Sequence, residues 1–190
     1  MKITSALVTS LAFVASAPVI AAPATYTIDP DHTFVTFGER HFKTSTIRAR
    51  LDKKAGMITL DTAAKTGRAE VTIDMTSVDS GVAGFDKTAK GSNIFNVERY
   101  PEAMFTGTQF RFDGDKVTQV SGDLTLIGQT HPVTLNATHF NCYQSPLAKR
   151  EICGGDFEAT IARSEWNINY AAPFVSDEVK LVIQIEAIKQ

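Results

Sequence analysis

Apolar and polar residues alternate along most of this chain, which is the pattern of half-buried β-strands. In the segment 122–135, Leu124 and Leu126 flank Thr125, and the alternation resumes at Val133 after a glycine-containing reversal. The same reading predicts eight or nine strands in all. The predicted strands are 26–28, 33–42, 57–60, 69–75, 103–112, 117–127, 133–140, 157–163 and 179–188.

Short polar and glycine-containing sequences separate the predicted strands, which favours antiparallel neighbours. These turns are predicted at 53–56, 65–67, 113–115 and 128–130. The exception is the insertion 80–101, where three glycines interrupt two predicted single-turn helices. Asp86 is expected to cap the first helix, and the second is expected to span about 93–97.

The last predicted strand indicates how the sheet is closed. Val179, Leu181 and Ile183 share one apolar face, whereas Lys180 and Gln184 lie on a largely polar face. A long terminal strand of this kind suits pairing with the first strand, because closure removes the exposed edges that promote aggregation. The pattern therefore favours a closed antiparallel barrel over an open sandwich.

Strand parity predicts which side chains point into this barrel, and all of them are uncharged. The inward candidates are Val35, Phe37, Val71, Ile73, Met75, Phe105, Leu124, Leu126, Val133, Leu135, Phe157 and Ile161. Small residues share this parity at Gly107, Ala137, Ala159 and Ala187. An eight-stranded barrel either is just filled by its side chains or holds one slender ligand. Parity alone leaves a packed core and a cavity as equal alternatives.

The N-terminus resembles an export signal. Lys2 precedes an uncharged, mostly apolar run over 3–20, and the small residues Ala21 and Ala22 follow. We predict a cleaved signal peptide over 1–21, a single domain over 22–190 and a periplasmic location. An uncleaved membrane anchor is the alternative, but Pro18 and the small residues argue against it, so no transmembrane segment is expected in the mature chain.

Charge and cysteine content narrow the function further. The formal charge is −2 and the basic residues are scattered among acidic ones, which disfavours nucleic acid as a partner. Cys142 and Cys153 lie close in sequence in a chain predicted to reach an oxidising space, so we expect a disulfide between them. A redox-active pair is the less favoured alternative, because the Cys-x-x-Cys spacing is absent.

The four histidines do not form a recognisable metal or catalytic motif. On an unbroken strand, His131 and His139 would lie on the order of 26 Å apart, and the pair His32 and His41 is similarly separated. No Gly-x-Ser-x-Gly sequence is present. We therefore predict no metal, no cofactor and no catalytic residue. His139 continues the inward parity of its strand and is predicted at a barrel end, either contacting a ligand head group or serving as a structural histidine.

Several motifs occur in a fixed order along the chain and carry a resemblance. They are Ile28-Asp29-Pro30-Asp31-His32-Thr33, His41-Phe42, Val71-Thr72-Ile73-Asp74, Phe85-Asp86-Lys87, Tyr100-Pro101 and Gly-Asp-Leu-Thr-Leu followed by Gly-x-Thr-x-Pro-Val-Thr-Leu within 122–135. Through them the chain resembles the YceI-like family of bacterial exported proteins. The chain departs from the family's pattern at 88–93, which lacks a histidine and a carboxylate, and at 165–167, which predicts an altered rim.

The resemblance implies an all-β fold: an extended, lipocalin-like, antiparallel eight-stranded β-barrel with a short helical insertion. It also implies a long apolar ligand, such as a polyisoprenoid or fatty-acid derivative, in the interior, and it is compatible with a homodimer. The predicted ligand-binding residues are Val35, Phe37, Ile73, Phe105, Leu124, Leu126, Leu135, Phe157, Ile161 and Trp166. Two alternatives stay open: a stress-related interaction protein with a filled core, and a hydrolase or isomerase that uses barrel-mouth histidines.

Overall fold

The computed structural model describes residues 22–190, so the predicted signal peptide lies outside the described residues. Within that range nine strands, one α-helix and one 3₁₀ turn follow the chain. The elements are β1 Ala24–Ile28, β2 Phe34–His41, β3 Ser45–Asp61, β4 Thr66–Asp79, α1 Ala83–Lys90, β5 Glu102–Asp113, β6 Lys116–Leu126, β7 Gln129–Gln144, β8 Glu151–Ala162, the 3₁₀ turn Arg163–Trp166 and β9 Val175–Lys189.

The strands form a closed antiparallel barrel with eight strand positions. From β3 to β9, each strand pairs with the next strand along the chain. β2 lies between β3 and β9 and completes the ring. The short strand β1 pairs with the second half of β3 and the end of β9, whereas β2 pairs with the opposite halves of the same strands. β1 and β2 therefore share one position, and the predicted closure of the last strand against the first is confirmed.

The turn predicted at 53–56 is wrong, because β3 runs through it as a strand of 17 residues. Its register against β4 shifts between Leu51 and Lys53, where a bulge takes up the irregular sequence. Gly56 serves close packing instead of chain reversal: a Cβ atom there would lie 2.3 Å from the Glu70 carbonyl oxygen. Strands of this length extend about 50 Å, which makes the barrel elongated.

The insertion between β4 and β5 holds one helix instead of the two predicted. Helix α1 is extended to eight residues, and Asp86 lies within its first turn. The Asp86 carboxylate accepts hydrogen bonds from the Ser80 amide and hydroxyl groups at 2.7 and 2.6 Å, which anchors the start of the insertion. The second predicted helix is replaced by turns, in which the Phe95 amide donates to the Ala89 carbonyl at 3.0 Å.

The two ends of the barrel differ. We call the end with the β3–β4, β5–β6 and β7–β8 connections the disulfide end. It carries the Cys142–Cys153 disulfide, which is confirmed as a cross-strand bridge. The opposite end, here the capped end, is covered by the cap segments 80–101 and 163–174. None of the helices within residues 22–190 is long and apolar enough to span a membrane.

Candidate ligand-binding site

The barrel encloses a cavity of about 220 Å³, and every strand position contributes side chains to its wall. Nine of the ten residues predicted from the sequence line it: Val35, Phe37, Ile73, Phe105, Leu124, Leu126, Leu135, Phe157 and Ile161. Almost all of the lining is hydrocarbon. The predicted inward positions therefore come together around one apolar space.

The β6–β7 hairpin follows the predicted orientation. Its apolar residues Leu124, Leu126, Val133 and Leu135 line the cavity. On the outer face, Thr125 and Thr130 form a hydroxyl hydrogen bond of 2.8 Å, and Ser121 and Thr134 form one of 2.9 Å. The reversal at Ile127 and Gly128 places both residues at positive φ, as a type I′ hairpin turn requires.

Trp166 does not line the cavity, so its predicted position in the wall is wrong. The side chain is 0% exposed and lies in the 3₁₀ turn after β8, where strand parity no longer applies. Its indole nitrogen donates to the Leu124 carbonyl at 3.3 Å, and its ring packs edge-on against His131 at 5.0 Å. Trp166 therefore fixes a cap segment to the β6–β7 hairpin from behind the cavity wall.

His139 lies on the outer surface, so the inward position predicted from parity is also wrong. The register between β7 and β8 shifts between Ala137 and His139, and the extra residue reverses the direction of the side chains that follow. Phe140 consequently points into the cavity while His139 is exposed. A head-group contact from His139 inside the barrel is incompatible with this placement.

The inner side of the cap is apolar. Phe95 is buried and its ring meets that of Phe37 edge-on, with 5.6 Å between the centroids. Ile94 and Ala89 from the first cap segment and Ile168 from the second also reach the cavity. The cap thus continues the hydrocarbon surface of the barrel wall across the capped end.

Two charged side chains, Glu39 and Arg163, are the exception in this lining. Arg163 is 5% exposed, and its three nitrogens all donate to backbone carbonyls. Nε bonds Ser176 at 2.8 Å, and the two terminal nitrogens bond Tyr170 at 2.8 Å and Val175 at 3.1 Å. The guanidinium group therefore holds the second cap segment against the start of β9.

Glu39 lies beside Arg163, with 4.0 Å between its Oε2 and Arg163 Nε. Burial raises the pKa of the Glu39 carboxyl group, and the nearby Arg163 charge acts in the opposite direction. The inward position of both residues could have been predicted from the sequence, because each continues the apolar parity of its strand. Glu39 continues the inward positions 35 and 37, and Arg163 continues 157, 159 and 161.

Metal-binding residues do not cluster in the described part of the chain. Between residues 22 and 190, no group of three or more His, Cys, Asp or Glu side chains is arranged to hold an ion. His131 Nε2, which is buried near Trp166, has no hydrogen-bond partner within the same range. The charged groups in the cavity lining are those of Glu39 and Arg163.

Sequence comparisons agree with these features. A family model described as a YceI-like domain matches residues 26–187. Protein YceI from Escherichia coli O157:H7 is 34% identical over 173 residues, which cover 90% of this chain and 90% of the relative. Protein YceI from Salmonella newport is 32% identical over the same length, with the same coverage.

Solved structures share the architecture. The crystal structure of Burkholderia cenocepacia BcnA gives a TM-score of 0.70 at 23% identity and covers 84% of this chain and 99% of its own. A polyisoprenoid binding domain from Saccharophagus degradans, implicated in plant cell wall breakdown, gives 0.62 at 16% identity and covers 87% and 98%. At these identities the likeness establishes a common fold.

Proposed function

This chain belongs to the YceI-like family, and on that basis we propose that it binds an elongated apolar ligand inside its barrel. The proposed ligand is a polyisoprenoid or a fatty-acid derivative. The proposed contacts are the nine predicted residues that line the cavity, together with the apolar inner side of the cap.

The apolar cavity is the observation that carries this proposal. An engineered cavity of about 150 Å³ lined by Leu, Ile and Phe stays dry and binds benzene, so the 220 Å³ present here suffices for an apolar guest. Burial contributes about 0.8 kcal/mol per methylene group, so affinity would grow with the length of chain inserted. The lining extends from Val117 and Phe140, towards the end with the disulfide, to Phe95 at the capped end, and an elongated space of this kind favours a slender chain over a fused-ring lipid.

The comparison with the Saccharophagus degradans domain supports the same ligand class, because that protein is described as polyisoprenoid-binding and shares this fold. The cavity also disfavours the filled-core alternative. The enzymatic alternative relied on histidines at the barrel mouth, and His139 lies on the outer surface instead. We therefore propose a carrier without catalytic activity.

We further propose that the carrier acts in the periplasm. The predicted signal peptide over 1–21 supports export, and the Cys142–Cys153 disulfide is typical of proteins that fold in an oxidising space. An exported protein with an apolar interior can shield a lipid from water between membranes.

Native mass spectrometry of gently purified protein, followed by solvent extraction, tests ligand binding directly. We expect a bound apolar molecule, or uptake of a prenyl or acyl probe after delipidation. Leu135→Trp should abolish uptake, because the larger side chain would occupy the cavity. The matched control is Thr134→Trp on the outer face, which should bind as the wild type does. A folded wild-type protein that takes up no apolar molecule would refute the proposal.

A further inference from the structure

We propose that Glu39, together with Arg163, forms a polar subsite at the capped end of the cavity that selects the ligand's head group. The subsite favours an apolar chain that ends in a neutral hydrogen-bond donor, such as a hydroxyl group, over one that ends in a carboxylate or phosphate. This inference rests on the proposed function and names the chemistry of the ligand's polar end.

The position of Glu39 follows from the register of β2. Its side chain points inward two residues beyond Phe37, which contacts the cap. Glu39 and Ile161 both pair with Val179 of β9, from opposite sides. Arg163 follows Ile161 by two residues, so the carboxylate and the guanidinium group converge across β9 at 4.0 Å. Both charges therefore lie where a chain filling the cavity would end.

Arg163 is largely committed to the protein. Each of its three nitrogens already donates to a backbone carbonyl of the region 170–176. These bonds use three of the five N–H donors of the guanidinium group. An anionic head group that reached the remaining donors would also approach the Glu39 carboxylate, whose like charge opposes it. A cationic head group would meet the Arg163 charge at the same place. The pair therefore disfavours both signs of charge in a ligand.

Glu39 has the opposite character, because its hydrogen-bonding capacity is unused. Among residues 22–190 we find no hydrogen bond to its carboxylate, although its side chain is only 24% exposed. A carboxylate has about four acceptor sites, and a bound chain that excludes water from this partly exposed group must supply a donor in its place. A ligand hydroxyl group can donate to this oxygen without adding charge. The geometry thus matches a neutral donor.

The test compares ligands with one chain and different ends: hexadecanol, hexadecanoate and hexadecane. Each is offered to the delipidated wild-type protein and to Glu39→Leu and Glu39→Gln, and occupancy is measured by native mass spectrometry at neutral pH. Glu70→Leu, on the outer face, is the matched control for the substitution itself. Circular dichroism verifies that each variant is folded.

We expect the wild type and Glu70→Leu to bind hexadecanol about 10- to 100-fold more tightly than hexadecanoate, from one hydrogen bond to a charged acceptor plus repulsion of the acid. Glu39→Leu should bind hexadecanol no better than hexadecane. Glu39→Gln should retain hexadecanol and bind hexadecanoate more tightly than the wild type, because an acceptor remains and the charge is gone.

The outcomes separate the two proposals. If hexadecane and both polar ligands fail to bind the folded wild type, the carrier function fails and the head-group inference fails with it. If hexadecane binds but the wild type shows no preference for hexadecanol, or Glu39→Leu keeps the same preference, only the head-group inference is overturned.

Discussion

Replacing Arg163 by methionine should destabilise the protein through its cap. The substitution removes three hydrogen bonds from a buried guanidinium group to the carbonyls of Tyr170, Val175 and Ser176. Each bond to a charged group contributes about 1.5–3 kcal/mol, but the freed carbonyls of a surface segment recover part of this from water. Losing the 4.0 Å contact with the partly exposed Glu39 carboxylate adds about 1 kcal/mol. We expect the free energy of unfolding to fall by about 3–5 kcal/mol in all.

Urea unfolding of the wild type and Arg163→Met measures this loss with two probes. Trp166 is the only tryptophan in the chain and lies in the same 3₁₀ turn as Arg163, so its fluorescence reports on the cap. Far-ultraviolet circular dichroism reports on the sheet. If Arg163 holds the cap, the fluorescence midpoint of the variant should fall at least as far as the circular dichroism midpoint.

Glu39 provides an internal check on the electrostatic part. In a Glu39→Gln background, Arg163→Met should cost about 1 kcal/mol less than in the wild type, because no carboxylate is left without its neighbouring cation. A loss below about 1 kcal/mol for Arg163→Met alone, or an unchanged fluorescence midpoint, would refute the role that the structure gives to this side chain.

Three further predictions concern the barrel. Gly122→Ala should lower the free energy of unfolding in urea by about 3 kcal/mol, because its Cβ atom would lie 2.0 Å from the Thr106 carbonyl oxygen. Gly84→Ala, in helix α1 with open space around the new methyl group, should instead raise the free energy of unfolding by about 0.5–1 kcal/mol. Reducing the Cys142–Cys153 disulfide should cost about 2–3 kcal/mol in melts compared with and without reductant; unchanged melts would contradict this. Tyr26→Phe removes a hydrogen bond of 2.6 Å that lowers the pKa of Glu151, so it should cost about 1–2 kcal/mol at neutral pH. The part of this cost that depends on the Glu151 charge should be lost as the pH falls through the folded-state pKa of Glu151, so the difference should shrink in acid. A cost independent of pH would count against this reasoning.

The closed barrel and most of its interior could be predicted from the sequence, because period-two alternation survives wherever strands pair regularly. The hairpin 122–135 shows this, since its pairing between β6 and β7 is uninterrupted and each predicted inward residue lines the cavity. Parity is a local rule that propagates along a strand. It holds as far as the register does.

The prediction from alternation fails where a bulge interrupts the strand period or where the strand ends. The position of His139 depended on counting from Ala137, and the register shift between them inverts the count. The prediction placed a strand only over 57–60 of β3 and a turn at 53–56, because Lys53 and Gly56 have turn-like composition. The strand instead begins at Ser45 and continues past a bulge, with Gly56 packed against β4. Trp166 lies beyond the end of β8, where no strand period applies. In each case a tertiary contact decides what the local pattern leaves undetermined.

Glu39 and Arg163 were missed for a different reason. Their strand parity points inward, as the pattern predicts, but the interior was expected to be uncharged. The raised pKa of Glu39 means that its ionisation weakens the folded state as the pH rises from the unfolded to the folded pKa, and the penalty is complete above the folded pKa. Arg163 offsets part of this penalty and also fastens the cap, but no hydrogen bond within residues 22–190 depends on the Glu39 carboxylate. A partly buried charge that costs stability and accepts no hydrogen bond within residues 22–190 breaks the apolar pattern of its own strand, and such breaks concentrate at functional sites. Glu39→Gln should therefore make the empty protein more stable at neutral pH, and equally stable in acid, while weakening its discrimination between alcohol and acid.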